Sequence, residues 1–444
     1  MNQSPGLRRQ LGLASAAAAV AGESIAVGIF LTPAGMAKSL GSPGWLLIVW
    51  LALGAMTMSG ALCYGELTTR YPQSGGTYIY LREAFGPGLA FLYGWMCLLV
   101  LDPGLAAALA TGLTAYAAYI FKWPPDARKF VAVGILAALG VLNFLSTAIS
   151  AGFMRWITWL KCGVLAFLVV FAIAFRLGAW SHFVPFWTPR PGSLPLVPAL
   201  ASAMVAGFFS FGGWWDVSKI AGEVRDPQRT LPRALVLGVI AVSILYISIS
   251  AIFLYLVPLQ SVTSDETFVA QAGAILFGSA GGKILAAIVM VCVLGSLAVF
   301  TMAAPRVYYA MANDGLFLQA VARPHPRFGT PANAILLQGA IACLLVAIGN
   351  FQQIIAYFIF VAVLFLGLAV AGLFILRRRN PIEPSSVRTP GFPLTPMAFL
   401  MLVVLLLALL ALHNPLQAGL GCAVVLTGLP VYFYLRRSRH NLPA

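Results

Sequence analysis

Long runs of apolar residues, separated by short polar segments, follow one another along almost the whole chain. Twelve runs are long enough to cross a lipid bilayer, for which about 20 residues suffice. They lie at about 13–40, 44–67, 84–120, 128–147, 151–175, 197–221, 232–257, 280–312, 332–349, 352–376, 392–412 and 416–435. Only 9% of the residues are charged, whereas soluble proteins carry about 25%. The pattern therefore predicts an all-α integral membrane protein with twelve transmembrane helices.

Two of these runs, the first and the sixth, are interrupted in the middle. The first is broken at 22–28 (GESIAVG) and the sixth at 208–213 (FFSFGG). An unpaired backbone group in hydrocarbon costs several kcal/mol, so a broken helix persists only where protein or a cavity receives those groups. Paired breaks of this kind indicate a binding site for a small polar molecule near the membrane midplane. The alternative is that these glycines serve only close helix packing.

The spacing of the two breaks predicts an internal repeat. They lie about 188 positions apart, with five spans from one break to the next. Because five is odd, the two five-helix units would have opposite orientations. We predict a first repeat at 13–176, an inverted second repeat at 197–378 and two additional helices at 391–437. A short outer helix is expected at 267–277, before the eighth span.

The net charge of +15 could suggest nucleic acid as a partner, but the placement of the charges argues against it. With a cytoplasmic N-terminus, 19 of the 27 Lys and Arg residues fall on the inner side and seven outside. Lys161, placed in the middle of the fifth span, completes the 27. This bias predicts that both termini are cytoplasmic. The positive charge is therefore attributed to membrane topology and to contact with anionic lipid, and not to nucleic acid. All six cysteines lie in predicted spans and the four histidines in loops or at helix ends, so no disulfide, metal site or cofactor is expected.

Three motifs at span ends carry a family resemblance. They read GEL at 65–67 followed by YPQSGGTYIYLREAFG at 71–86, GEVRDPQRTLPRA at 222–234, and PRVYYAMANDG at 305–315. Together they resemble the amino acid–polyamine–organocation (APC) superfamily, nearest its L-type amino acid transporter branch, over about residues 10–380. The resemblance implies a five-plus-five inverted-repeat fold with broken helices 1 and 6, alternating access and amino acid substrates.

An amino acid presents a carboxylate and an ammonium group, and the two ends of a broken helix complement them. The N–H groups that begin the second half-helix favour an anion, and the carbonyls that end the first half favour a cation. The N–H groups would belong to Val27, Gly28 and Ile29, and the carbonyls to Glu23 or Ser24 and to Phe209 and Gly212. Where the family usually has Gly-Ser/Thr-Gly, this chain has Ala26-Val27-Gly28, so a hydroxyl contact to the carboxylate is lost while the backbone N–H groups remain.

Aromatic residues surround the second break. The resemblance makes Phe209 a lid over the outer side of the substrate; ordinary apolar packing is the alternative. Phe211 and its neighbours Phe208, Trp214 and Trp215 are expected to pack or to line the pocket. In the loop after the second span, Gly75-Gly76 with Tyr78 and Tyr80 predicts a short amphipathic helix at the inner mouth, acting as a gate or as an interfacial anchor. Glu223 and the arginines at 225–233 resemble an inner-side gate and hinge network.

Four charged residues are predicted at membrane depth, where each costs roughly 2.5–3.5 kcal/mol and needs a partner or water. Lys161 matches a lysine of the L-type branch that stands in for the sodium ion of sodium-coupled relatives, which implies sodium-independent transport. The alternative is a lysine that snorkels to the interface. For Glu23, Asp102 and Asp216 three options stay open: a cationic substrate, proton coupling through a protonated acid, or pairing with a neighbouring donor.

The sequence thus predicts a sodium-independent amino acid carrier that works by exchange or proton-coupled uptake, with a polyamine or organic-cation carrier as the alternative. A channel is disfavoured because channels usually build rings of ligands by symmetry. An enzyme is disfavoured because no histidine lies at membrane depth to act as a base. Eukaryotic L-type relatives attach to a heavy chain through a cysteine between spans three and four. The loop at 122–129 has none, so no disulfide-linked heavy chain is expected, which suits a bacterial inner membrane.

Overall fold

The computed structural model describes residues 7–26, 28–259, 265–348, 351–379, 387–413 and 415–440. Within them the chain is almost entirely helical, and the only extended pairing is a parallel bridge between Leu11 and Val224. The α-helices are α1 (Leu13–Ser24), α2 (Gly28–Leu40), α3 (Pro43–Arg70), α4 (Thr77–Phe85), α5 (Pro87–Met96), α6 (Asp102–Phe121), α7 (Pro125–Leu145), α8 (Thr147–Ala174), α9 (Leu196–Phe211), α10 (Pro227–Leu256), α11 (Asp265–Phe277), α12 (Gly281–Ala303), α13 (Pro305–Asn313), α14 (Ala332–Ile348), α15 (Phe351–Arg379), α16 (Leu394–His413), α17 (Pro415–Leu426) and α18 (Gly428–His440). Shorter 3₁₀ segments lie at Trp180–Phe183, Trp214–Glu223, Gly278–Ala280 and Gln319–Ala322, and a π-helical turn lies at Cys97–Leu101.

The helices confirm an all-α membrane protein. Among the described residues ten helical stretches are long and apolar enough to cross a membrane, and the bent pair α1 and α2 makes an eleventh. The apolar helix α14, with 17 residues, lies where the ninth span is predicted. Each of the twelve predicted runs therefore coincides with helix. The division into two inverted repeats stays a prediction.

Local sequence signals explain where several helices begin. Ser42 precedes Pro43 and its Oγ accepts a hydrogen bond from the Trp45 N–H at 3.4 Å, which caps α3. Ser146 alone separates α7 from α8 and caps α8 through the Ile149 N–H at 3.3 Å. Helices form at both predicted short segments, as α11 and α4, and the sides of the membrane assigned to them stay predictions.

The broken helices lie at the centre of the bundle. α1 packs against α8, α10 and α12, while α2 packs against α9, and α3 packs along α10. The outer helices α16 and α17 contact α15, and α18 contacts α5. This arrangement surrounds the backbone groups at the first break with protein, as an interrupted helix in a membrane requires.

Candidate substrate-binding site

The first break separates α1 from α2. α1 ends at Ser24, α2 begins at Gly28, and the two helices are bent by 53°. Ile25 leaves the helical conformation with ψ of 83°, although its N–H still donates to the Ala21 carbonyl at 3.0 Å. The unwound stretch is therefore shorter than the predicted 22–28, because residues 22–24 still belong to α1. Val27, predicted to supply an N–H group, lies outside the described residues.

The second break follows α9. Gly212 is extended (φ −53°, ψ 154°), and Gly213 has φ of +99°, a conformation that glycine adopts without strain. The chain then continues as the 3₁₀ segment Trp214–Glu223. A Cβ at Gly213 would collide with the side chain of Glu23. The glycine therefore lets the second break approach the end of α1.

Two hydroxyl groups join the breaks. Ser24 Oγ donates to the Phe211 carbonyl at 3.2 Å. The Tyr246 hydroxyl on α10 lies 2.6 Å from both the Ser24 and the Ser210 carbonyl oxygens. Sequence reasoning missed Tyr246, since one tyrosine in an apolar span carries no distinguishing signal. These contacts give hydrogen bonds to carbonyl groups at the ends of the interrupted helices, where regular backbone pairing stops.

A cavity of about 390 Å³ lies between the breaks, within the usual size range of small-molecule sites. Eight of the predicted site residues line it, namely Glu23, Ser24, Ala26, Gly28, Asp102, Phe209, Gly212 and Asp216. The remaining wall is largely apolar and includes Leu105, Phe208, Trp215, Phe300 and Leu366. Thr32, Ser210 and Lys219 line it as well and were not predicted.

Two predicted site residues lie beside the cavity instead. Ile29 is fully buried in the core. Phe211 is also buried, and its ring packs against Trp50 and Tyr246 with centroid distances of 5.9 and 5.0 Å. Neither is among the described residues that line the cavity. Phe209, by contrast, lines it with 39% of its surface exposed.

Lys161 binds the backbone of the first break. Its side chain is fully buried on α8, and its ammonium group donates to the Gly22 carbonyl and to the Ile25 carbonyl at 2.6 Å. On α12, Ser296 Oγ and the Cys292 carbonyl lie at 3.1 and 3.3 Å. We call these four oxygens the carbonyl site. Lys161 therefore points towards the break and not to the membrane interface.

Asp102 reaches the cavity from a distorted turn. The π-helical turn Cys97–Leu101 ends at Asp102, whose N–H donates to the Cys97 carbonyl. π-helical turns are rare in proteins overall, and those that occur are often found at functional sites. The Tyr308 hydroxyl donates to Asp102 Oδ2 at 2.9 Å and lies 3.3 Å from the Cys97 carbonyl. Tyr308 thus holds both the carboxylate and the turn.

Lys219 corrects the predicted charge distribution. The sequence count treats it as an inner-side residue, because it lies near the predicted end of the sixth span. In the structure it is 2% exposed, and its ammonium group lies 2.9 Å from Asp216 Oδ2 and 3.3 Å from Asp102 Oδ1. Asp216 and Lys219 share one face because a 3₁₀ segment has three residues per turn. The separation of three positions between Asp216 and Lys219 was the feature of the sequence from which this ion pair could have been predicted.

Glu23, Asp102, Asp216 and Lys219 form what we call the acid cluster. All four line the cavity. Two carboxylate oxygens of the cluster, Glu23 Oε2 and Asp216 Oδ1, are buried and have no hydrogen-bond partner among the described residues. Pairing with Lys219 and Tyr308 therefore accounts for both oxygens of Asp102 and one of Asp216, while the Glu23 and Asp216 carboxyl groups are hydrogen-bond neighbours of each other.

Two ion pairs, Arg306–Glu223 and Arg82–Asp314, lie apart from the residues that line the cavity and are reinforced by hydroxyl groups. The fully buried Arg306 contacts Glu223 Oε1 at 2.6 Å, and Thr147 Oγ1 donates to Glu223 Oε2 at 2.7 Å. On α4, Arg82 contacts Asp314 at 2.6 Å, and the Tyr78 hydroxyl donates to the same carboxylate at 2.8 Å. Burial, and then the charge of Asp314, raise the pKa of Tyr78, so its hydroxyl remains a donor.

The start of α4 lies directly against the second half of the sixth span. Gly75 N–H donates to the Lys219 carbonyl at 2.9 Å. A Cβ at Gly76, which has φ of +53°, would collide with Ser218 and with the Lys219 backbone. Lys219 therefore contacts the start of α4 through its backbone carbonyl and lines the cavity with its side chain. The arginines at 225, 229 and 233 are exposed, unlike Glu223.

Comparison with known proteins identifies a family. The model of the amino acid permease family matches residues 11–427. The serine/threonine exchanger SteT of Bacillus subtilis (strain 168) is 29% identical over 438 residues, which cover 98% of both chains. The human large neutral amino acids transporter small subunit 2 is 30% identical over 96% of this chain and 80% of its own length. The human cystine/glutamate transporter is 28% identical over 96% and 85%, respectively.

Proposed function

Because the chain belongs to the amino acid permease family, we propose that it is a secondary-active, sodium-independent amino acid transporter that works by alternating access. The observation that carries the proposal is the cavity between two broken helices, lined by eight of the predicted residues. A binding site enclosed by interrupted helices is the arrangement that such transporters use.

The substrate carboxylate is assigned to the start of α2. The N–H groups of Gly28 and Ile29 begin this helix, and the helix dipole favours an anion there. Gly28 lines the cavity, and a Cβ at this position would meet Ser210. The sequence assigns a third N–H group to Val27, which lies outside the described residues. The missing family hydroxyl leaves the carboxylate to backbone donors.

The ammonium group is assigned to the opposite ends of the breaks. Among the predicted acceptors, the Ser24 carbonyl already receives the Ala26 N–H and the Tyr246 hydroxyl, and the Phe209 carbonyl receives the Gly212 N–H. The carboxylates of the acid cluster are the stronger acceptors for a cation. Phe209 would cover the bound substrate as a lid.

Sodium independence rests on Lys161. Its ammonium group already fills the carbonyl site, so a permanent cation connects α1, α8 and α12 where a sodium ion would otherwise be needed. Coupling is then by exchange of substrates or by proton-coupled uptake. Opening of the cavity towards the N-terminal side requires separation of the Arg82–Asp314 and Arg306–Glu223 pairs.

The remaining assignments follow the charge bias and the break spacing. We assign the protein to a bacterial cell membrane, with both termini cytoplasmic because the excess of Lys and Arg falls on their side. The two repeats are assigned to 13–176 and 197–378, with additional helices at 391–437. No disulfide-linked heavy chain is proposed, since the loop at 122–129 contains no cysteine.

Uptake by purified protein in vesicles tests the proposal. Each of the twenty amino acids, radiolabelled, is added with sodium or with potassium outside, and with or without unlabelled amino acids inside. We expect saturable uptake that sodium does not change; stimulation by internal substrate would identify exchange. Absence of saturable uptake for every amino acid would contradict amino acid transport, and a strict sodium requirement would contradict the role of Lys161.

A further inference from the structure

A second, much smaller cavity lies between α6, α7, α12 and α14, apart from the cavity at the breaks, and we call it the rear cavity. It is lined by Ala106, Leu136, Gly140, Thr301, Ile335, Gln338, Gly339 and Ala342. We propose that the rear cavity is a binding site for one water molecule, which accepts a hydrogen bond from Gln338 Nε2 and donates to the side chains of Asn143 and Thr301. This site goes beyond the proposed transport function.

The size of the rear cavity restricts its ligand. Its volume is about 20 Å³, and a cavity can hold a water molecule once it offers about 10–15 Å³. The cavity at the breaks, at about 390 Å³, is far larger. The rear cavity therefore has room for one water molecule and excludes an amino acid or any other organic cargo.

Two buried amide groups supply a donor and an acceptor that lack partners. Gln338 lines the rear cavity from α14 and is 3% exposed, and its Nε2 has no hydrogen-bond partner among the described residues. Asn143 on α7 is also 3% exposed, and its Oδ1 has no partner within the same ranges. Buried polar groups are normally paired with protein or with ordered water, because an unpaired one is costly. Both amides therefore call for a partner.

Thr301 on α12 brings the second amide to the rear cavity. Asn143 Nδ2 donates to Thr301 Oγ1 at 3.3 Å, and Thr301 itself lines the rear cavity. The Thr301 hydroxyl uses its only proton within its own helix, since it donates to the Leu297 carbonyl at 2.8 Å. Its oxygen has a second lone pair. Thr301 can therefore accept a hydrogen bond from a ligand but cannot donate one.

These three groups require a ligand that both accepts and donates hydrogen bonds. Gln338 Nε2 is a donor, whereas Asn143 Oδ1 and Thr301 Oγ1 are acceptors. A metal cation cannot accept from an amide N–H group, and a halide cannot donate to an amide oxygen. Water does both, and a buried water typically makes about three hydrogen bonds. The number and the kinds of open partners therefore match one water molecule.

The rear cavity lies behind the wall of the substrate-binding cavity. Leu105 and Phe300 line the cavity at the breaks, whereas their neighbours Ala106 and Thr301 line the rear cavity. α6 and α12 therefore stand between the two cavities. A water bound in the rear cavity joins α7, α12 and α14 on the other side of this wall. Its contribution is to the stability of the wall and not to contact with the cargo.

The sign of a stability change tests the site. Gln338→Met keeps the length of the side chain and removes its amide, so the water loses a partner and the melting temperature should fall by about 2 °C. The control is Gln319→Met, at an exposed glutamine of the 3₁₀ segment Gln319–Ala322. If Gln338 had no water to pair with, the substitution would remove an unpaired buried amide. An unchanged or raised melting temperature would therefore overturn the proposal.

A density map separates a bound water from a direct contact between the amides, which would also make Gln338→Met less stable. In a map of the wild-type protein that resolves ordered water, we expect a peak about 2.7–3.2 Å from Gln338 Nε2 and from Asn143 Oδ1. Direct contact of the two amides, with no peak between them, would refute the water site. The map decides even if Gln338→Met does not fold, and neither measurement depends on what the protein transports.

Discussion

The two lysines buried near the breaks, Lys161 and Lys219, are stabilised in different ways. Lys161 is surrounded by neutral groups, three backbone carbonyls and one hydroxyl. Lys219 is surrounded by charge, with two carboxylates within 3.3 Å. Only Lys219 lines the cavity. The first lysine therefore belongs to the framework of the break, whereas the second belongs to the surface that meets the substrate.

The difference shows that one lysine compensates for missing backbone hydrogen bonds and the other for side-chain charge. The Gly22 and Ile25 carbonyls lie where α1 ends, so Lys161, together with Ser296, replaces backbone hydrogen bonds that the interruption removes. Lys219 offsets side-chain charges, and a charged ligand can compete for the same carboxylates. A substitution at Lys161 should thus affect the architecture of every transport step. A substitution at Lys219 should depend on which acids remain.

The largest effect on transport rate is expected for Lys161→Ala. Its removal leaves the Gly22 and Ile25 carbonyls to Ser296 alone, a loss of about 3 kcal/mol, or about 100-fold in transport rate. Uptake into vesicles measures it, after size-exclusion chromatography shows that the variant is inserted and folded. Lys283→Ala, which removes an exposed lysine on α12, is the control. Uptake like that of wild type would refute a role in transport.

Lys219→Met should lower stability strongly, because it leaves the buried Asp102 and Asp216 carboxylates without their cation. Breaking a buried ion pair on one side costs about 3–5 kcal/mol. Adding Asp102→Asn should recover part of this loss, and thermal unfolding of both variants measures it. In the Lys161→Ala background, Asp102→Asn should recover nothing. If Asp102→Asn changed the melting temperature equally in the two backgrounds, the proposed difference between the lysines would be wrong.

Phe209→Ala tests the cavity itself rather than either lysine. If the ring covers the substrate, its loss should raise the apparent KM about 10-fold, since burial of an aromatic side chain contributes about 1.5–3 kcal/mol. Concentration-dependent uptake gives this value. Phe130→Ala, at a ring that is 79% exposed, serves as the control. An unchanged KM and rate would exclude the lid.

A smaller effect is expected for Tyr246→Phe. The substitution removes only the hydroxyl that lies 2.6 Å from a carbonyl of each break. The loss should be about 1–3 kcal/mol of stability, measured by thermal unfolding against Tyr434→Phe, whose ring is 71% exposed. Equal melting temperatures for the two variants would mean that this bridge contributes nothing.

The sequence was sufficient where the signal is local. Interrupted apolar runs revealed both breaks, and a single charge within a span revealed Lys161 and Asp102. Sequence reasoning missed Lys219 because a lysine near a span end usually serves topology, and only the 3₁₀ conformation of Trp214–Glu223 turns it inward. The approach of Glu23 to Gly213 joins segments about 190 positions apart, and no local pattern encodes it.

The extent of the first break shows a second limit. Gly22 suggested unwinding from residue 22, yet α1 continues to Ser24. A Cβ at Gly22 would meet Thr158 and Val299, so this glycine serves close packing, as the alternative interpretation held. Ile29 and Phe211 show that residues next to lining positions can face the opposite side of their helices.

The π-helical turn before Asp102 accommodates one extra residue without changing the direction in which Asp102 points. Its Asp102 N–H bonds five residues back, to Cys97, so the turn holds one residue more than an α-helical turn does. Loss of a single residue from 97–101 would restore ordinary winding and leave Asp102 on nearly the same face, because four α-helical residues turn the chain about as far as five π-helical ones. The same one-codon deletion in the regular part of α6 would instead rotate every later side chain of that helix by roughly 100°.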